Sequence, residues 1–246
     1  MATAVVAAVL VVVNNYVRPK VERRVAVGRI FNSGGAVWFK DKSQDIGVEN
    51  PYTAKTLNLW RMADSIDVKN DAQAIVVSQE LARIPELGAI EFGRGVTDIG
   101  LSAVCNSRNV EAIVAISLWG CSITSYGISQ LEQLPELRRI MFNTCPIDAA
   151  GLAQLKALRG VISLRFSEER PRAKLNRLDD ACFSEIGQLT QLESLSFGAV
   201  NISDSAARKL HNLKNLKTLT FGQGYISDDA ILELRSELPT TEIHRY

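Results

Sequence analysis

Residues 192–203 read LESLSFGAVNIS, and 24 residues later the chain reads LKTLTFGQGYIS at 216–227. Leu, Leu, Phe, Gly, Ile and Ser recur at matching positions. A skeleton rewritten at so short a period constrains the fold more than any other feature, because a unit of that size cannot bury its own apolar face and must stack on a copy of itself. The second apolar position of the motif recurs at Ile66, Ile90, Ile113 or Ile116, Ile140, Leu164, Leu195 and Leu219. Ile140 to Leu164 and Leu195 to Leu219 both span 24 residues, whereas Leu164 to Leu195 spans 31.

Within one unit, LRRIMFNTCPIDAAGLAQL (137–155), two periodicities follow each other. Ile140–Met141–Phe142 alternates with period 2, which predicts a short strand with two side chains inward and one outward. Leu152, Leu155 and Leu158 recur at helical spacing. Between strand and helix lie Val96-Thr97-Asp98, Ile202-Ser203-Asp204 and Ile226-Ser227-Asp228. A hydroxyl there caps the following helix, and the Asp meets the positive end of its dipole. Stacked units set their strands side by side, about 4.8 Å apart, in one parallel sheet with the helices behind it. Helices are wider than strands, so the stack curves and the sheet lines the concave side.

L-x-x-L-x-L-x-x-C-x-I, present at Ile113–Ile123 and Leu137–Ile147, resembles the leucine-rich repeat. The continuation I-[ST]-D-x-[GA]-[LI] is similar to the ribonuclease-inhibitor-like bacterial subtype. The resemblance covers roughly 63–246. It implies an α/β solenoid of about six coils, with the recognition surface on the concave sheet and no reaction of its own. Cys121 and Cys145 occupy the usual Asn/Cys position, but Val200 and Gly224 stand there in later coils, which removes the usual side-chain hydrogen bond. ELPTTEIHRY (237–246) is similar to a closing half-repeat.

Three segments are expected: 1–17, an N-terminal helix–strand cap over 18–62, and the repeats over 63–246. In the first, ATAVVAAVLVVV (2–13) is an unbroken apolar run that stops at Asn14. A spanning helix needs about 17–25 residues. The run is read as a membrane anchor whose start is truncated, a short signal core, or a buried helix. Arg18, Lys20, Arg23 and Arg24 follow it, and by the positive-inside rule they hold the repeats in the cytoplasm; a soluble cytoplasmic protein is the alternative. Pro19 to Phe31, with Val21, Val25 and Gly28 on one face, predicts a helix ended by Gly34-Gly35. AVWF (36–39) predicts a strand, and the pair is expected to cap the first coil, whose edge would otherwise be bare. Residues 41–53 read as a loop.

Catalytic chemistry finds little support. Two histidines, His211 and His244, lie far apart, and no CxxC pair supplies zinc spacing. GRGVTDIG (93–100) lacks the GK[ST] of a phosphate loop and fits the repeat turn. Asp179-Asp180 and Asp228-Asp229 fall at helix starts, where the dipole accounts for them. The Asn201-Ile202-Ser203 sequon falls in a repeat turn. With 28 basic and 27 acidic residues the net charge is +1, so no whole-chain field draws nucleic acid. No enzyme activity, cofactor or metal is expected.

What remains is surface. The outward strand positions are Ala89 and Glu91, Ala115 and Ser117, Arg139 and Met141, Ser163 and Arg165, Ser194 and Ser196, Thr218 and Thr220. Arg139, Met141 and Arg165 should meet at mid-array beside Trp119 and Asn143. An aromatic, a Met and two arginines have the composition of an interface hot spot, and a solvated mixed surface is the plainer reading. In SEERPRAKLNRL (167–178) the extra seven residues of the long unit carry Arg170, Arg172, Lys174 and Arg177 against Glu168 and Glu169. This is a candidate lid or second contact for a protein partner, Arg170 and Arg172 above all, or else a solvated loop. Cys121 and Cys145, on neighbouring coils, are either a disulfide or a stacked pair of small core residues. The chain is thus read as a recognition protein; the alternatives are an envelope scaffold and the substrate arm of a separate enzyme, the latter without an F-box-like helix.

Overall fold

Ile66, Ile90, Ile116, Ile140, Leu164, Leu195, Leu219 and Ile243 face one another on eight successive parallel strands. The structure, a computed structural model, describes Val13 and residues 18–38, 64–85, 87–167, 178–198, 202–222 and 226–246. The apolar run 2–12, the 41–53 loop, Val200, Gly224 and the basic residues Arg170, Arg172, Lys174 and Arg177 lie outside the described residues. Among the described residues no helix is long and apolar enough to cross a membrane.

The chain opens with α1 (Arg18–Asn32) and β1 (Ala36–Trp38). Strand–helix units follow: β2 (Asp64–Asn70) and α2 (Asp71–Glu80), β3 (Leu87–Gly95) and α3 (Asp98–Cys105), β4 (Ala115–Trp119) and α4 (Ser125–Gln130), β5 (Arg139–Asn143) and α5 (Ala149–Gln154). Then come β6 (Ser163–Ser167) and α6 (Asp180–Ile186), β7 (Ser194–Phe197) and α7 (Asp204–Arg208), β8 (Thr218–Phe221) and α8 (Asp228–Glu237), and a closing β9 (Glu242–Arg245). The sheet runs β1 to β9 in chain order, with β1 antiparallel to β2 and every later pair parallel. Seven full units precede β9, against about six expected, and the first of them is the unit whose rung is Ile66.

Two inward ladders make the core. The first is the Ile/Leu column above, in which Ile116 is the rung and Ile113 packs in the turn before it. The second runs through Val68, Phe92, Leu118, Phe142, Phe166, Phe197 and Phe221, all at most 1% exposed. Phe142, Phe166, Phe197 and Phe221 stack with centroids 5.3, 5.6 and 5.9 Å apart, and Phe183 from α6 adds a fourth contact at 5.2 Å from Phe197. Strand spacing of about 4.8 Å is close to a ring-stacking distance, so one Phe per rung lets the backbone ladder and the ring ladder share a period. Leu164 pairs with Leu195 without a register shift. The long unit's extra residues therefore leave the sheet undisturbed.

The helix starts are tied from coil to coil. Thr97, Thr124, Ser203 and Ser227 cap α3, α4, α7 and α8, the threonine hydroxyls accepting from the backbone N–H two residues on and the serine hydroxyls from the one three residues on. Asp71 accepts from the Thr97 amide (2.8 Å), the Thr97 hydroxyl (2.7 Å) and the Gly100 amide (3.0 Å) of the next coil. Asp98 likewise accepts from the Thr124 amide and hydroxyl, and Asp204 from the Ser227 amide and hydroxyl. Those bonds hold the Asp204 carboxyl below the usual carboxylate range. Where the first helical residue is Ser125 or Ala149, the next cap is itself an acid, Asp148 or Asp179, and accepts from its own helix.

Helix α1 packs through the face opposite to Val21 and Val25. Among its described side chains Ala26 and Ile30 are buried, with Val27 packed beside them, whereas Val21 and Val25 are 54% and 46% exposed. Polar contacts set the rotation. Arg29 pairs at 2.7 Å with Glu80, a carboxylate 2% exposed that also takes Arg83 at 2.8 Å, and Gln73 donates to the Ser33 carbonyl. These anchors lie next to Ala26 and Ile30, so that stripe turns inward. The helix ends as expected at Gly34, with φ +89°, and the Gly35 amide reaches back to the Ile30 carbonyl.

Candidate functional site: the open face of the sheet

Strand alternation that sends Ile and Phe inward sends the intervening residues to the opposite face, against which no described helix packs. Register sorts them into two columns. One runs Ser65, Ala89, Ala115, Arg139, Ser163, Ser194, Thr218, Glu242, and the other Asp67, Glu91, Ser117, Met141, Arg165, Ser196, Thr220, His244. Trp119 stands opposite Asn143, one step further along the strands.

Arg139 on β5 and Arg165 on β6 are diagonal neighbours, since Arg139 faces Ser163 and Arg165 faces Met141. That diagonal is about 7–8 Å. Trp119, Asn143 and Met141 thus gather round the two arginines on consecutive strands. Exposure within the group is uneven. Met141 and Asn143 are 9% and 6% exposed, so a hot spot standing proud of the surface is not what the sheet displays. Side chains on the inside of a curved sheet converge, and the Trp119 indole donates to the Ser117 hydroxyl, which is itself buried. The Asn143 carbonyl accepts from the Gly120 amide, and its side-chain oxygen accepts from the Thr144 hydroxyl.

Among the described residues neither Arg139 nor Arg165 makes an ion pair or a side-chain hydrogen bond. The Nε of Arg139 is buried without a partner. Burial lowers the Arg165 pKa from its ordinary value. A guanidinium taken from water without an acceptor is costly, and an arriving anion relieves that cost.

At the other end of the same column stands an acidic pair that outward-position reading found only in half. Glu91 was visible as an outward residue of its repeat, but Asp67 belongs to the polar strand β2. The alternation Ser65-Ile66-Asp67-Val68-Lys69 was the signal for it. Burial, and secondarily the Asp67 carboxylate, push the Glu91 carboxyl from 4.5 up to about 7. Between those two values the folded chain holds a proton that the unfolded chain has released. The stability this group contributes is therefore complete below pH 4.5 and is lost as the pH rises through about 7. Glu91→Gln cannot ionise and should stabilise the protein at pH 8 by about 2–3 kcal/mol, with little change at pH 4.5. Urea midpoints at the two pH values measure this, and equal gains at both would contradict it.

The remaining chemistry-bearing groups are built into the scaffold. All four cysteines are buried thiols, and Cys121 donates to the Phe92 carbonyl while Cys145 donates to the Cys121 carbonyl. The stacked pair of small core residues is thus the arrangement present. Burial pushes Cys105 up to about 12 and Cys182 up to about 11, which suppresses the thiolate that nucleophilic work needs. Among the described residues no group of three or more His, Cys, Asp or Glu side chains is placed to hold a metal ion. His211 sits on the helix side in a shallow depression of about 300 Å³, where its Nδ1 meets the Arg208 carbonyl and Arg208 is already paired with Glu233.

A parallel sheet in chain order, rungs 24 residues apart, buried Leu/Ile and Phe ladders, and Cys121 and Cys145 behind the strands together decide the architecture. This is a leucine-rich-repeat solenoid. No family model and no curated protein matches the sequence. Among solved structures, the solenoid is similar to an internalin from Listeria monocytogenes, at 15% identity over 76% of this chain and 62% of that one, with a TM-score of 0.41. It is also similar to a protein from Bacteroides fragilis (11% identity, 72% and 61% covered, TM-score 0.42). A third similar structure is TLR13 in its complex with ssRNA13 (16% identity, 74% and 29% covered, TM-score 0.46). The leucine-rich-repeat chain spans less than two thirds of the length of each of these. The repeat ladder itself, rather than these distant likenesses, establishes the solenoid.

Proposed function

We propose that this leucine-rich-repeat solenoid is a non-catalytic recognition module that holds a protein partner against the open face of its sheet. Trp119, Arg139, Met141, Asn143 and Arg165 lie at the centre of the contact, and Arg170 and Arg172 extend it from the long unit. In this reading the apolar run 2–13 tethers the module to a membrane, with the repeats on the cytoplasmic side. The observation that carries the proposal is the pair of guanidiniums on adjacent strands, Arg139 and Arg165, partly buried and with no acid to answer them among the described residues. Solenoids use such extended sheet faces for binding, and Arg beside an aromatic and a Met is the composition of interface anchors.

Capture of partners by the full chain, identified by mass spectrometry, tests this against two variants. Arg139→Glu with Arg165→Glu should lose the captured protein. Lys214→Glu, on the helix side, should keep it. Equal capture by both would refute the open face as the binding surface.

A further inference from the structure

The second outward column has a charge order that the proposed function does not use. From β2 to β6 it reads Asp67, Glu91, Ser117, Met141, Arg165, that is acid, acid, hydroxyl, apolar, base. At both charged ends like charges are neighbours on adjacent strands. Asp67 and Glu91 face each other directly across a strand pair, and their repulsion adds to the burial that raises the Glu91 carboxyl. Arg139 and Arg165 repel across a diagonal, with one Nε buried and unanswered. Like charges on neighbouring strands destabilise a sheet. A face that segregates them at its two ends is electrostatically complementary to a ligand of opposite order.

Resting on the reading of this face as the recognition surface, we propose that the partner is an extended peptide segment crossing the strands, its acidic side chain over Arg139 and Arg165 and its basic side chain over Glu91. Geometry fixes the spacing. Glu91 and Arg165 are three strands apart, about 14 Å at sheet spacing. An extended chain rises about 3.3 Å per residue, so the two charges belong about four residues apart. Side chains alternate with period 2, so residues i and i+4 both point at the sheet, and i+2 meets Ser117 and Met141. The recognised pattern is base, then a small or apolar residue, then acid, at alternate positions and in either chain direction. Glu91 adds a pH dependence, because a cation over it favours the ionised carboxyl, and affinity should fall as the pH drops from 8 to 6.

Selection of a phage-displayed library of random nine-residue peptides against the full chain tests the order. Enriched peptides should carry Lys or Arg and Asp or Glu four positions apart. Arg165→Glu should weaken their binding by at least about tenfold, and changing the peptide's acid to Lys should restore it. Arg165→Ser, which repeats the Ser196 chemistry of the next coil, should show the same loss if the reversal impairs folding. A steric block, Ser163→Trp, separates the two levels of the argument. Peptides that Ser163→Trp displaces but that show no charge order and ignore both Arg165 variants would overturn the charge-ordered ligand and leave open-face recognition standing. Peptides indifferent to all three variants, or no enrichment at all, would overturn both.

Discussion

Phe197→Ala should destabilise the protein by about 3–5 kcal/mol, among the largest single costs in the chain. Phe197 is fully buried and is the one ring in the ladder with three stacked neighbours, at 5.6 Å from Phe166, 5.2 Å from Phe183 and 5.9 Å from Phe221. Truncation removes the transfer free energy of the ring, leaves a cavity, and forfeits stacking contacts worth about 0.5–1.5 kcal/mol apiece beyond their area. The geometry of a solenoid increases the consequence. Each unit is stable through its neighbours, so loss at an interior rung weakens two interfaces at once. Urea unfolding of Phe197→Ala should show a lower midpoint and a shallower slope, the signature of β8, α8 and β9 separating before the rest. Phe142→Ala, with one stacked neighbour, should cost less and keep the slope. A loss under about 1 kcal/mol for Phe197→Ala would mean that the ring ladder does not carry the core.

That ladder was legible in the sequence because it is written in side-chain size. Ile140, Leu164, Leu195 and Leu219 fall on one period, Phe142, Phe166, Phe197 and Phe221 fall two residues later, and the long unit between Leu164 and Leu195 breaks the count without breaking the register. Hydropathy was a poorer guide where polar contacts set the geometry. In α1 the shared face of Val21 and Val25 does not mark the packing side, because the Arg29–Glu80 pair and the Gln73–Ser33 bond lie next to Ala26 and Ile30, which turn inward. The first repeat strand is mostly polar, and only its Ile66 and Val68 enter the core. At the open face, alternation gave the right neighbours but not their exposure. Register alone places Arg139 beside Arg165. The burial of Met141 and Asn143 depends on how side chains crowd on the inner side of a curve, which no linear pattern records.

The carboxylates at the helix starts support the second large effect and show a rule that single-residue reading overlooks. Asp71→Ala should cost about 2–4 kcal/mol, because one side chain answers three donors of the next coil and those groups are partly buried. Generic helix capping predicts less, since α2 keeps its own cap, Asn70, which accepts from the Gln73 amide. The difference is the work of joining coils. Where a helix begins with Asp71, Asp98 or Asp204, the next cap is Thr97, Thr124 or Ser227, and where it begins with Ser125 or Ala149, the next cap is Asp148 or Asp179. Each of these junctions thus carries one carboxylate, supplied from either side. Two acids at one junction would repel, and none would leave helix-start amides without a charged acceptor. Asp98→Ser alone and Thr124→Asp alone should therefore each lower stability by about 1–2 kcal/mol, by opposite routes. Together they recreate the Ser125/Asp148 arrangement and should return within about 0.5 kcal/mol of the parent. A double-mutant cycle in urea measures the coupling, and strictly additive losses would show that the carboxylates stabilise their own helices without linking the coils.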